Sequence, residues 1–174
     1  MTAGFLLAVS AGCGGSDDEA TPEEILADGG SLADVVVGDT TYEFEATCFD
    51  AGAGSIVVVG TGTDPRVDDG AGTHLLVKAF LGESYIGVTV GDVEPDGGTA
   101  TTAPGDELEI YEAALDQTLD LLLEDDAITA DDIAFVRGLP LDTDVGAAGE
   151  SVGTGSLLVR CGSYEQGVPE EFDR

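Results

Sequence analysis

The chain has 174 residues, 43% hydrophobic and 24% charged, which is enough for one domain with a real core and unlike a disordered profile. Asp and Glu number 36 against 5 Lys and Arg, a net charge of −31. Such a balance excludes nucleic acid and an anionic membrane surface as partners of the domain itself, and favours cations, basic partners or plain solubility.

Taken in chain order, the first feature is FLLAVSAGCGGS at 5–16: a short apolar run, then small residues, then Cys13 followed by Gly14, Gly15 and Ser16. An apolar run ending at small residues is what a secretory cleavage site presents. The stretch resembles the start of bacterial lipoprotein precursors. The resemblance implies a signal peptide over 1–12, cleavage just before Cys13, and acylation of that cysteine by diacylglycerol, with palmitate as the expected chain. It also implies an address: the cell membrane, lipid-anchored, on the extracytoplasmic side. Phe5–Val9 is too short to span a bilayer, which takes about 20 apolar residues. Met1–Gly4 carry no Lys or Arg, which fits a start codon assigned too late. The competing reading makes Phe5–Val9 a buried edge strand and Cys13 an ordinary thiol.

Residues 13–34 read as the lipidated cysteine and a flexible acidic tether, because Gly14–Gly30 is rich in Gly, Asp and Glu. Inside it, Thr21-Pro22-Glu23-Glu24 starts a helix, with Thr at the N-cap, Pro at the first helical position and Gly29 as the stop. It spans two turns at most, since so short a helix is marginal alone. The folded domain is expected over 35–162. Val35–Val37 opens it. Tyr42, Phe44, Ala46 and Cys48 then alternate with Glu43, Glu45 and Thr47, the period of a half-buried strand.

Ser55–Thr61, Thr73–Leu81 and Ser84–Val90 are further strands, with Gly52-Ala53-Gly54 and Gly82-Glu83 as tight turns. Gly91–Gly105 and Leu139–Glu150 read as long exposed loops. Glu107–Glu124 fits two patterns. Leu108, Tyr111, Leu115, Leu119 and Leu122 make a helical face, while Glu107–Tyr111 and Thr118–Leu123 make two strands. The strands are favoured, because Asp125-Asp126 then turns the chain into Ala127–Arg137. Ser156–Cys161 is the last strand, and 163–174 a polar tail.

The three cysteines divide as one and two. With Cys13 lipidated, Cys48 and Cys161 remain as an even pair in an oxidising compartment, where a disulfide is expected. In a reducing cytoplasm they would be two buried thiols. On SAGC at 10–13, YEFEATC at 42–48 and SLLVRC at 156–161, the layout is similar to the small lipoprotein antigens of mycobacteria and other actinobacteria. That likeness implies an all-β or mainly β fold: an Ig-like β-sandwich closed by one Cys48–Cys161 disulfide, with a helix in 107–124 as the variant. It supplies no catalytic residues.

His74 is the only histidine, and no G-x-S-x-G nucleophile motif accompanies it. Acidic pairs stand at Asp17-Asp18, Asp68-Asp69, Asp125-Asp126 and Asp131-Asp132; with 36 acids in the chain, such pairs arise by chance. Asp142-Thr143-Asp144-Val145-Gly146 begins like a calcium loop without completing the spacing. Glycines at 60, 62, 153 and 155 form no phosphate loop and fit strand ends or bulges. The sequence therefore predicts no catalytic residue, no cofactor and no metal site. The expected function is a non-enzymatic, monomeric cell-envelope lipoprotein whose domain is a surface interaction or structural module. Its partners are the membrane, through Cys13, and an envelope protein or basic partner. The alternative is a ligand carrier or calcium-binding domain that uses the two long loops.

Overall fold

The computed structural model describes residues 21–66, 72–79, 84–91, 109–138 and 149–168. Its first element is α1 (Pro22–Ala27), begun as the sequence predicts. Thr21 caps it in a full capping box with Glu24, and Gly29 leaves it at φ +85°. No residue of α1 is buried.

Among the described residues ten strands follow: β1 (Ser31–Val37), β2 (Thr40–Gly52), β3 (Ser55–Thr63), β4 (Gly72–Ala79), β5 (Tyr85–Val90), β6 (Glu109–Ala113), β7 (Leu122–Glu124), β8 (Ala127–Arg137), β9 (Glu150–Cys161) and β10 (Tyr164–Gln166). β1 starts four residues before the expected edge of the domain. Alternation sorts the side chains as expected: Tyr42, Phe44 and Cys48 are buried while Glu43 and Glu45 are exposed. Three two-residue turns have the primed geometry that suits twisted hairpins. Gly38 opens the β1–β2 turn at φ +59°, Ala53-Gly54 lie at +54° and +83°, and Asp125-Asp126 at +48° and +64°. Aspartate tolerates that left-handed region better than most residues.

Eight strands form a ring in the order β1-β9-β8-β6-β5-β4-β3-β2, and β1 pairs with β2 to close it. The fold is mainly β with one disulfide, as expected, but the sheet closes into an eight-stranded barrel where an Ig-like sandwich was predicted. Alternation reads the same in both, because each architecture puts every second residue inside. β1 decides between them. It pairs antiparallel on both sides, with Val35 between Tyr42 and Leu157. Strands neighbouring in sequence are neighbours around the ring, so this is an up-and-down barrel. Eight strands leave a bore just wide enough for side chains to fill. Val35, Val58, Val77, Ile86, Val88, Ile128, Phe135 and Val159 fill it as part of one continuous core.

The segment 107–124 follows the strand reading over its described residues, with β6 and β7 at its two ends. The helical pattern fails because Leu119 and Leu121 pack on the core while Leu115 stands in solvent. Between β6 and β7, Gln117 takes the place of a strand. Its side-chain amide donates to the Ala134 carbonyl at 2.7 Å and accepts from the Ala134 N–H at 2.9 Å. That caps Ala134, at one end of the stretch of β8 edge between its pairings with β6 and β7.

On the outer face, Tyr85 folds its ring over Gly87, where any Cβ would collide with it. Its hydroxyl donates to Glu112 at 2.7 Å. Burial, then that carboxylate, holds the Tyr85 phenol well above its ordinary range. The tail departs from expectation: Tyr164–Gln166 is β10, parallel to Cys48–Asp50 of β2, with Tyr164 packed on the core. It extends the line of β1 along β2, beyond the point where β1 begins.

The Cys48–Cys161 disulfide sits at the same place. Ser31, the first residue of β1, pairs with Ala46 on one side and Cys161 on the other. Just past it, the disulfide joins β2 directly to β9, with Cα atoms 5.9 Å apart at a sequence separation of 113. A loop that long confers about 4–5 kcal/mol on the chain-entropy account. Replacing both cysteines by Ala is therefore expected to lower the urea unfolding free energy by about that amount. Retention of full stability would show that hydrogen bonding alone closes the ring.

Candidate functional site

The two ends of the barrel differ. At the disulfide end the chain enters β1, leaves β9, and packs Tyr164 against the core. At the other end β1, β3, β5 and β8 finish and β2, β4, β6 and β9 begin. Here a polar cluster stops the mouth.

Asp64, Pro65 and Arg66 follow directly from β3 and turn Arg66 back over the bore. The Asp64 carboxylate accepts from the Arg66 backbone N–H at 3.0 Å, and from Nε and Nη2 at 2.9 and 2.8 Å. Arg66 Nη2 also reaches Glu109 at 2.7 Å, and Nη1 donates to the Tyr111 hydroxyl at 3.0 Å. Tyr111 in turn donates to Glu109 at 2.8 Å, and Arg137 stands 3.4 Å from the other Glu109 oxygen. The ring of Tyr42 lies 6.2 Å from that of Tyr111, tilted by 39°, and both are buried. One guanidinium thus ties the end of β3 to the start of β6.

The electrostatics follow from these contacts. The Arg66 side chain bonds to Asp64 and holds that carboxyl below its usual range despite burial. At Glu109 burial works the other way, but the hydrogen bonds from Arg66 and Tyr111 and the charges of Arg66 and Arg137 outweigh it, so its pKa is also lowered. Burial, then the neighbouring Tyr111, pushes the Tyr42 phenol well above its ordinary range. Arg66 is raised by its bond to Asp64. All four groups are thereby fixed in the protonation state they hold near neutrality, an arrangement suited to closing a barrel and unsuited to shuttling protons.

A second feature lies outside. Between α1 and the strands β1, β2, β3 and β9 runs an open groove of about 880 Å³, with Ile25, Leu32 and Leu158 as apolar lining and Asp34, Glu43 and Arg160 among its charged residues. Asp34 and Glu43 face each other across the β1–β2 pair, a like-charge contact that a cation or basic group would relieve.

The structure brings Cys48 and Cys161 together, whereas Cys13 lies outside the described residues. So do Asp17-Asp18, Asp68-Asp69 and the calcium-like 142–146. Asp125-Asp126 is the β7–β8 turn, Asp132 forms a left-handed bulge in β8, and His74 sits on β4 opposite Thr61 and Thr89. Among the described residues, no group of three His, Cys, Asp or Glu is placed to hold a metal ion. Sequence reading missed the Arg66 cluster. Its signal was scarcity: with five cations among 36 acids, each arginine has carboxylates competing for it. Compared with protein-family models, curated proteins and solved structures, the chain matches none.

Arg66→Ala leaves Asp64, only 7% exposed, as an unpaired carboxylate. The arginine is itself 36% exposed, so the expected loss lies between surface and buried pairs, about 2 kcal/mol by chemical denaturation. A pH series adds a second check. Asp64 and Glu109 titrate lower in the folded than in the unfolded chain. Their stabilisation is therefore complete above the ordinary carboxylate pKa of about 4 and is lost as pH falls through the folded values. Acid also relieves the self-repulsion of so negative a chain, so the difference between wild type and Arg66→Ala is the quantity to read. The gap in melting temperature should narrow as pH falls below about 4; a gap independent of pH would detach the carboxylates from the effect.

Proposed function

We propose that this chain is a non-enzymatic, lipid-anchored cell-envelope protein that presents the outer surface of a solid barrel to a partner. The observation that carries the reading is the filled bore. Small barrels that carry a ligand keep the interior open, whereas here inward side chains form one core from the disulfide to Tyr42 and Tyr111, and Arg66 lies across the mouth. Recognition is then left to the outer wall and the strand edges. Their acidity suits a basic protein partner.

The anchor reading rests on the lipobox-like SAGC at 10–13 and is supported by compartment. A long-range disulfide belongs to an oxidising environment outside the cytoplasm, and Cys48 and Cys161 are joined. The chain enters the barrel at the disulfide end. A tether from Cys13 therefore places that end nearer its point of attachment to the membrane.

The test is intact mass and membrane partitioning of the full chain, with any in-frame upstream codons, in a bacterium that processes lipoproteins. Wild type should lose residues 1–12, gain lipid mass and fractionate with the membrane, while Cys13→Ser stays unlipidated. Identical soluble, uncleaved products would overturn the anchor.

A further inference from the structure

Three large apolar side chains stand out in solvent among the described residues: Leu115, Leu122 and Leu123, at 96%, 59% and 47% exposed. All belong to the stretch that leads into and forms β7. Elsewhere Gln117 caps Ala134 of β8, and β10, paired among the described strands only with β2, lies along that strand. β7 differs in its exposed leucines. Among the described strands it pairs only with β8, and it carries none of the Lys or Pro residues that commonly blunt an edge.

The register shows which groups are open. Glu124 and Ala127 flank the two-residue turn and form its hydrogen-bonded pair, so Leu123, one place further, turns its N–H and C=O away from β8. Leu122 and Leu123 point to opposite faces of the strand. Around them Asp116, Asp120, Glu124, Asp125 and Asp126 are all exposed, and no Lys or Arg occurs from 115 to 126.

We propose that the open edge of β7 is a docking surface that takes an added β-strand from a basic protein partner, an extended segment in which apolar residues alternate with Lys or Arg. The proposal rests on the reading of this chain as an interaction module and names its surface and partner chemistry. Main-chain bonds to Leu123 give such a complex its affinity, and the leucines with their acidic surround give it selectivity. A second copy of this chain fits poorly. It would set the same carboxylates against one another, in a molecule of net charge −31.

The probe is a capped nine-residue peptide alternating Val and Lys, titrated into the full chain by fluorescence anisotropy, with a Val/Glu peptide as control. The Val/Lys peptide should bind and slow hydrogen exchange at the Leu123 amide, and the Val/Glu peptide should not bind. Leu123→Pro, which removes the outward N–H, should weaken binding by roughly tenfold or more. Leu122→Lys, which only adds a charge on an exposed face, should weaken it similarly and decides the matter where the proline variant fails to fold. Equal binding by both variants would place the peptide elsewhere, on the wall groove or on net charge alone, and overturn the proposal. So would absence of binding, or a dimer in sedimentation that Leu123→Pro dissolves. The anchor fails separately: peptide binding is indifferent to Cys13→Ser.

Discussion

β1 is hydrogen-bonded along both edges, from Ser31 opposite Ala46 to Val37 opposite Thr40 on the β2 side, and from Ser31 opposite Cys161 to Val37 opposite Gly155 on the β9 side. This double pairing turns a meander into a ring. An open sheet of these strands would leave two long edges to water or to other chains. Where β1 begins, the ring would gape between β2 and β9, and there the structure places the Cys48–Cys161 bond and β10. Covalent and hydrogen-bonded closure thus meet at one seam.

Closure at that seam sets the conditions for everything inside. Eight strands give a bore of side-chain width, and the sequence fills it with β-branched and aromatic residues. Small residues make room where large ones cross: Gly60 faces Phe44 and Leu75 so closely that a Cβ there would crowd both. At the disulfide end Tyr164 of β10 packs on the core. At the other the plug is polar, because Tyr42 and Tyr111 bring hydroxyls to the mouth, and hydroxyls out of water need partners. Arg66 is the partner of Tyr111, and Asp64 and Glu109 balance its charge. In a chain with seven acids for every base, one well-placed guanidinium ties the end of β3 to the start of β6.

On the proposed reading, a barrel with a filled bore leaves recognition to its outer surface. The wall groove beside α1 and the edge of β7 share one chemistry, apolar contact bordered by carboxylates, and so suit the same kind of partner. Tethering at Cys13, as proposed, would hold such surfaces at the envelope, in an oxidising compartment that would suit the disulfide.

Much of this was legible in the residues. Alternation at 42–48 placed Tyr42, Phe44 and Cys48 inside, Thr21-Pro22 with Glu24 marked α1, and Asp125-Asp126 marked the β7–β8 turn. These signals are local: they depend on a few neighbouring dihedrals and on which side of a strand meets water. Barrel against sandwich was not legible, because inward and outward residues alternate alike in both. Nor were the strand made of Tyr164–Gln166, the Gln117 side chain standing in for a strand, or the Arg66 cluster, whose members lie far apart in sequence. The sequence by itself determined which residues turn inward and where the chain reverses. Tertiary structure alone decided that β1 meets both β2 and β9, and hence the barrel, its stoppered mouth and its one open leucine-bearing edge among the described residues. Pairing partners are chosen by contacts across more than a hundred residues, which no short window of sequence contains.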